Sequence, residues 1–215
     1  MLIETKGRIR SWRRAMQTQS NIHFYVNWAK ERLDEMEAVL TSLESKVGEV
    51  QADTRDKAKK ALADLRKSRD TFRDIVKKQA EANETAWTSA KAKLEPEWNS
   101  FEAEVRKYVE SFSKQIEQQR ATFKLQSAAQ LKAWREAADK LAGDTKQFTT
   151  ARQAEIDTAV KRMQADATAA EEKLQKQMEQ VGTQSWSALM AVLTETRAAF
   201  DRANQAARDA FKRAA

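Results

Sequence analysis

The side chains of this chain that could do chemistry are few and scattered. His23 is the single histidine. That excludes a two-histidine di-iron bundle and a His-Glu-x-x-His zinc site, and a partly buried, hydrogen-bonded imidazole beside a helical seam is the expected role. Cysteine is absent, which removes disulfides, thiolate nucleophiles and sulfur-ligated zinc. Paired carboxylates occur at Asp34 and Glu35, Glu95 and Glu97, and Glu171 and Glu172. Acid–base work needs two such groups in unlike environments within one cleft. Charged helical surfaces supply such pairs by chance, so no catalytic residue is assigned and no enzyme is expected. The four glycines, at 7, 48, 143 and 182, are isolated. Neither a phosphate-binding loop nor a dinucleotide turn can be written around them, and no cofactor or metal is expected.

Two basic segments could bind anions. Lys59, Arg66 and Arg73 recur every seven residues, with Lys60 and Lys67 beside them. They read either as partners for acidic residues such as Glu37 and Glu44 on a neighbouring helix, or as a stripe tracking phosphate groups. Near the N-terminus, Ile9, Trp12 and Met16 share one helical face while Arg8, Arg10, Arg13 and Arg14 crowd the rest. That composition suits an interfacial helix on anionic lipid, or an extension of a bundle core or dimer seam. No aromatic residue interleaves the stripe at 59–73, and 32 acidic residues oppose a polyanion. Nucleic acid is therefore not an expected partner.

The elements that carry these residues are helices. One proline and four glycines in 215 residues leave few places to break one. Charged residues make up 33% of the chain and mean hydropathy is −0.78, which suits thin cores with much wetted surface. Ile22, Val26, Ala29, Leu33, Met36, Leu40, Leu43, Val47 and Val50 step by fours and threes, a heptad seam flanked by Lys30, Glu37 and Glu44 on one side and Arg32 and Lys46 on the other. Gly48 and the polar run after it predict a hairpin into a second helix on Ala58, Leu62, Leu65, Phe72 and Val76. A third seam runs from Trp87 through Leu94, Trp98, Phe101, Val105 and Phe112 to Ile116, and Pro96 lies off it, so a kinked but continuing helix is expected. The same helix is expected to run on through Phe123, Leu131, Trp134, Ala138 and Leu141 to the stop at Gly143, Asp144 and Thr145. A fifth helix follows on Phe148, Ile156, Val160, Met163, Ala167, Leu174, Met178 and Val181, and a sixth begins near Trp186.

Sliding the chain by 99 residues superposes Trp87, Leu94, Phe101 and Phe112 on Trp186, Leu193, Phe200 and Phe211. This predicts an all-α, elongated, antiparallel coiled-coil bundle of two tandem spectrin-like three-helix units sharing a long central helix. The basic segment would occupy residues 1–20, the first unit 21–112 and the second 113–215.

The first unit, from about Asn27 to Glu110, resembles a family of small all-helical bacterial stress-response proteins first noticed in cyanobacteria. The likeness is carried by Trp28 to Glu37 (Trp-Ala-Lys-Glu-Arg-Leu-Asp-Glu-Met-Glu), Leu62 to Asp70, Ala86 and Trp87, and Trp98 with Phe101. It implies three helices and no catalytic residues. The second unit has Arg197 where the 99-residue offset asks for tryptophan. A looser likeness to exchangeable apolipoproteins rests on amphipathic repeats and implies surface binding. The expected function is that of a cytoplasmic scaffold acting by protein contact or self-association, with no small-molecule substrate. The alternative is a peripheral coat on anionic membrane or on a hydrophobic inclusion.

Overall fold

The computed structural model describes residues 2–79, 82–113, 116–146, 150–180 and 185–214, and among these the side chains of 2–23, 116 and 150–152 lie outside the described set. Among the described residues lie six α-helices: α1 (Leu2–Lys46), α2 (Arg55–Lys78), α3 (Glu84–Phe112), α4 (Ile116–Thr145), α5 (Thr150–Glu179) and α6 (Trp186–Ala214). A 3-10 turn, Val47–Glu49, carries α1 toward α2. None of the described helices is long and apolar enough to cross a membrane.

Most seams read from the sequence face inward. Ala29, Met36, Leu40 and Leu43 of α1 are buried in one cluster with Leu62, Leu65 and Phe72 of α2. The hairpin at Gly48 therefore closes as expected, while Val26, Leu33 and Val47 are only half-buried at its edge. The charged flank works as a set of interhelical partners: Glu44 accepts from Arg66 at 2.6 Å, Glu37 pairs with Arg69, and Lys30 meets Glu136 of α4 at 2.8 Å. The helix start after Asn83 is fixed by its side chain, which accepts from the Ala86 amide at 2.9 Å. Pro96 sits inside α3 with helix on both sides. Its missing N–H leaves the carbonyl four residues back without an intrahelical donor, and both Ala92 and Pro96 are exposed, so water can take that place. At the end of α4, Gly143 lies within the last turn and the helix closes two residues later, where the Thr145 hydroxyl donates to the Leu141 carbonyl at 2.8 Å. Phe148, Val181 and Gly182 lie outside the described residues.

The long central helix needs correction. Ser113 has φ −111° and ψ 58°, outside helical geometry, and its amide caps the Val109 carbonyl. Residue pairings show that the chain reverses there. From the 3-10 turn back along α1, Glu49, Ser42, Glu35 and Lys30 meet Gln118, Thr122, Gln130 and Glu136 in turn, so α4 runs antiparallel to α1. Tyr25 meets Thr88, and Glu35 and Glu102 share Arg197, so α3 runs parallel to it. Two tandem units joined by a shared helix would keep α3 and α4 collinear. The six described helices instead alternate in direction, three up and three down, because α1 has a second face that α4 and α6 cover. α1 packs on α2, α3, α4 and α6, whereas α5 packs on α4 and α6. The core gathered around α2 and α3 accordingly takes in Leu174, Trp186, Leu189, Met190 and Leu193 from α5 and α6, and a second cluster joins Phe24 of α1 to Trp134, Met163, Phe200 and Phe211.

Leu40 is 2% exposed at the centre of the first cluster. Leu40→Ala is expected to cost about 2–5 kcal/mol through lost burial and a residual cavity, measured by urea unfolding. Pro96→Ala should leave far-UV helicity intact and raise the melting temperature, since an interior proline is about 3 kcal/mol less favourable than alanine in a helix.

Candidate functional site

The second face of α1 carries the most unusual chemistry in the molecule. Phe24, Trp28, Glu31, Glu35, Ala38 and Ser42 step by four and three, a heptad stripe beside the apolar one. Helical periodicity stacks Glu31 over Glu35, and both are fully buried. Opposite them α6 presents Arg197 and Asp201, α3 presents Glu102 and α4 presents Gln130.

Arg197 grips Glu35 with two parallel hydrogen bonds, Nε to Oε1 at 2.9 Å and Nη2 to Oε2 at 2.8 Å, and gives Nη1 to Glu102 at 2.8 Å. Its guanidinium lies 4.5 Å from the centre of the Trp98 ring, a stacked arrangement that arginine's flat, weakly hydrated cation favours. The 99-residue offset equates Arg197 with Trp98, so the two positions of that repeat stack on one another. Arg32 forms the second node, donating to Glu31 at 2.6 Å and to both oxygens of Asp201 at 2.9 and 2.6 Å. Gln130 completes the set. Its Nε2 donates to Glu35 at 2.9 Å and to the Leu193 carbonyl at 3.0 Å, and its Oε1 accepts from Thr196 at 2.6 Å.

Two guanidinium groups thus face four carboxyl groups, of which Glu31 and Glu35 are fully buried while Glu102 and Asp201 keep contact with solvent, and stacking two ionised carboxylates away from water is expensive. Burial, the largest effect, pushes Glu31 well above the ordinary carboxylate range, and the neighbouring Glu35 adds to it against the pull of Arg32. Burial acts on Glu35 in the same sense, but Arg197 and the hydrogen bonds from Glu31 and Gln130 overcome it and hold Glu35 below the ordinary range. The two carboxyls are thus pushed in opposite directions, Glu31 toward the neutral acid and Glu35 toward the anion. Unlike charge states on adjacent carboxyls are what acid–base catalysis uses. Here, however, Arg32, Arg197 and the covering helices close both groups off from solvent, so the chemistry this arrangement performs is cohesion among α1, α3, α4 and α6. Among the described residues no group of three or more His, Cys, Asp or Glu is arranged to hold a metal ion.

The other site residues read from the sequence are dispersed. Arg66 is tied to Glu44 and Arg73 to Asp70 at 2.7 Å, while Lys59 is exposed with Asp56 at 3.8 Å. The stripe on α2 is thus largely drawn into ion pairs, those of Arg66 and Arg69 reaching across to the first helix. Arg8, Arg10, Trp12, Arg13, Arg14 and His23 belong to α1, but their side chains lie outside the described residues. Glu171 pairs with Arg135 at 2.8 Å and Glu95 with Lys91 at 3.0 Å on the surface. The network at Glu31 and Glu35 was missed because its residues are polar. The available signal was the heptad step from Phe24 to Ser42, which a search for apolar periodicity passes over. Comparison with protein-family models, with curated proteins and with solved structures returns no match.

Removing Arg197 leaves Glu35 buried without its counter-ion. Arg197→Met should cost about 3–5 kcal/mol in urea unfolding, and Arg197→Lys should recover only part of it, because the two-point grip is lost. The two carboxyls give opposite pH limbs. The raised Glu31 contributes stability in full below the ordinary carboxyl range and loses it as pH rises through its folded value. The lowered Glu35 contributes above the ordinary range and loses it as pH falls through its folded value. Glu31→Gln, an amide mimic of the neutral acid, should flatten the alkaline limb of a melting-temperature profile and leave the acidic limb in place.

Proposed function

We propose that this chain is a non-enzymatic helical-bundle scaffold, of the stress-response kind that its first three helices resemble, acting by contact with protein partners or with copies of itself. The reading is supported by where the apolar and charged side chains go. Among the described residues the seams are spent inside the chain, and Leu125, at 40% exposure, is the one large apolar side chain left on the surface. A coat that spreads amphipathic helices on lipid would have to unpack those seams and the ion network first.

The observation that carries the proposal is the outward face of α2. α2 packs on α1 and α3, and Lys60, Lys67 and Lys78 are exposed on the side opposite Leu62, Leu65 and Phe72. Asp64 and Asp74, also exposed, lie on the same side. Signs that alternate along the face suit a protein surface with its own alternating charges better than the uniform negative field of a bilayer or a phosphate backbone, against which Asp64 and Asp74 would be repelled.

Flotation of the full chain with phosphatidylserine vesicles tests this directly. The protein is expected to stay in the soluble fractions at low and physiological salt, with unchanged helicity. Salt-sensitive flotation would contradict the scaffold reading and restore the membrane coat, with Trp12 and its neighbouring arginines as the anchor. Light scattering over a concentration series then separates the two kinds of contact, since self-association raises the mass with concentration.

A further inference from the structure

α5 and α6 run antiparallel and are tied near both ends by ion pairs, Lys173 with Glu195 and Arg213 with Glu155 at 2.5 Å. Glu195 to Arg213 spans about 27 Å of helix. Between the ties lie cavities of about 430 and 270 Å³ that share Arg162, Ala203 and Ala206, so they form one groove along the helix pair. Its floor is made of small residues, Ala169, Ala170, Ala199, Ala203 and Ala206. α5 packs on α4 and α6, and Arg162, Ala169, Arg202 and Ala206 stay exposed, so among the described residues no helix covers the groove.

The lip of the groove on α6 is a heptad seam that the core does not use. Glu195, Ala199, Arg202, Ala206, Asp209 and Arg213 step by four and three, and none of them is buried. The buried seam of the same helix runs on the other side, through Leu193, Phe200, Ala207 and Phe211. Alanines spaced between longer side chains leave the holes that the knobs of a second helix fill.

Two features say which helix that is. The first is charge: Glu155, Asp166, Glu195 and Asp209 are matched by Arg162, Lys173, Arg202 and Arg213 around the groove, a balanced surface on a chain of formal charge +7. A strongly acidic or basic partner gains nothing from it. Arg162, Asp166 and Arg202 nevertheless make no side-chain hydrogen bond or ion pair among the described residues, which leaves them for contacts outside the chain. The second feature is order. Reversed about the level of Asn204, the seam complements itself, with Glu195 opposite Arg213, Ala199 opposite Asp209 and Arg202 opposite Ala206. Laid parallel, each charge would meet its own kind.

We propose that this groove is the contact between two copies of the chain, with α6 laid antiparallel on the partner's α6. A two-fold axis then makes every contact twice. At each end Glu155, Arg213, the partner's Glu195 and the partner's Lys173 alternate in sign across four helices. In the middle Arg202 passes over the partner's Ala206 toward the partner's Asp209, one turn on. The proposal rests on the scaffold reading and makes a second copy the partner. The seam is short and polar at its rim, so the dissociation constant is expected on the order of 100 µM.

Sedimentation velocity of the full chain from about 10 µM to about 1 mM should show the mean mass climbing toward twice that of one chain. Glu195→Arg sets like charges opposite each other on both sides of the axis, and Arg213→Glu does the same with the sign exchanged. Each alone should weaken association about tenfold or more. Both positions are exposed, so the melting temperature should change little. In an equimolar mixture of the two variants the introduced charges meet each other across the axis, and the mixture should regain the mass of the unaltered chain. A chain that stays monomeric at about 1 mM would overturn the proposal and leave the scaffold reading to the flotation result. So would a dimer that neither reversal weakens, or a mixture no heavier than its components.

Discussion

The grip of Arg197 on Glu35 and Glu102 is the constraint on which the rest of the molecule depends. One guanidinium from the last helix closes on a carboxylate of the first and another of the third, and the Trp98 ring covers its face. An arginine buried this deeply must have its partners in place or pay for desolvation unaided. The positions of α1, α3 and α6 are therefore not independently adjustable. Gln130 extends the same constraint to α4 by bonding Glu35 and the backbone of α6 together.

The polar face of α1 explains why the chain folds into one body. A helix with only the seam at Ala29, Met36, Leu40 and Leu43 would be satisfied by the α2–α3 hairpin, and what followed could form a second unit. Glu31, Arg32, Glu35 and Ser42 add a demand that an exposed helix would not have, because they lie on the other side of α1 and meet α4 and α6 there. Meeting that demand requires the chain to turn back at Ser113. The opposite pulls on the Glu31 and Glu35 carboxyls are a consequence of the same burial, which raises Glu31 while Arg197 and the hydrogen bonds around Glu35 hold that group down.

Helices and apolar seams were readable from spacing alone. Leu40 against Leu62 and Leu65, the passage through Pro96 and the start at Trp186 all follow from local rules of periodicity and capping. The reversal at Ser113 was hidden because Phe112 to Ile116 continues the stepping of four, and periodicity says nothing about direction between turns. Arg69 broke the α2 seam as a polar interruption, yet it reaches Glu37 at the rim of the core. The α1–α4 interface was the least visible part. It is built from Ser42, Thr122, Gln118, Gln126 and Gln130 with small alanines, residues that sequence patterning assigns to the surface unless their partners are known.

The central claim is that α6 lies alongside α3 across α1. The chain has no cysteine of its own, so spin labels can be placed at will. Double electron–electron resonance between labels at Ser89→Cys in α3 and Gln205→Cys in α6, both exposed positions, reads the arrangement directly. The folded-back bundle gives a single narrow distance on the order of 20 Å, about two interhelical spacings. A tandem array with an unbroken helix through Ser113 would separate these sites by ~75 Å at 1.5 Å per residue, and a distance near that value would contradict the account.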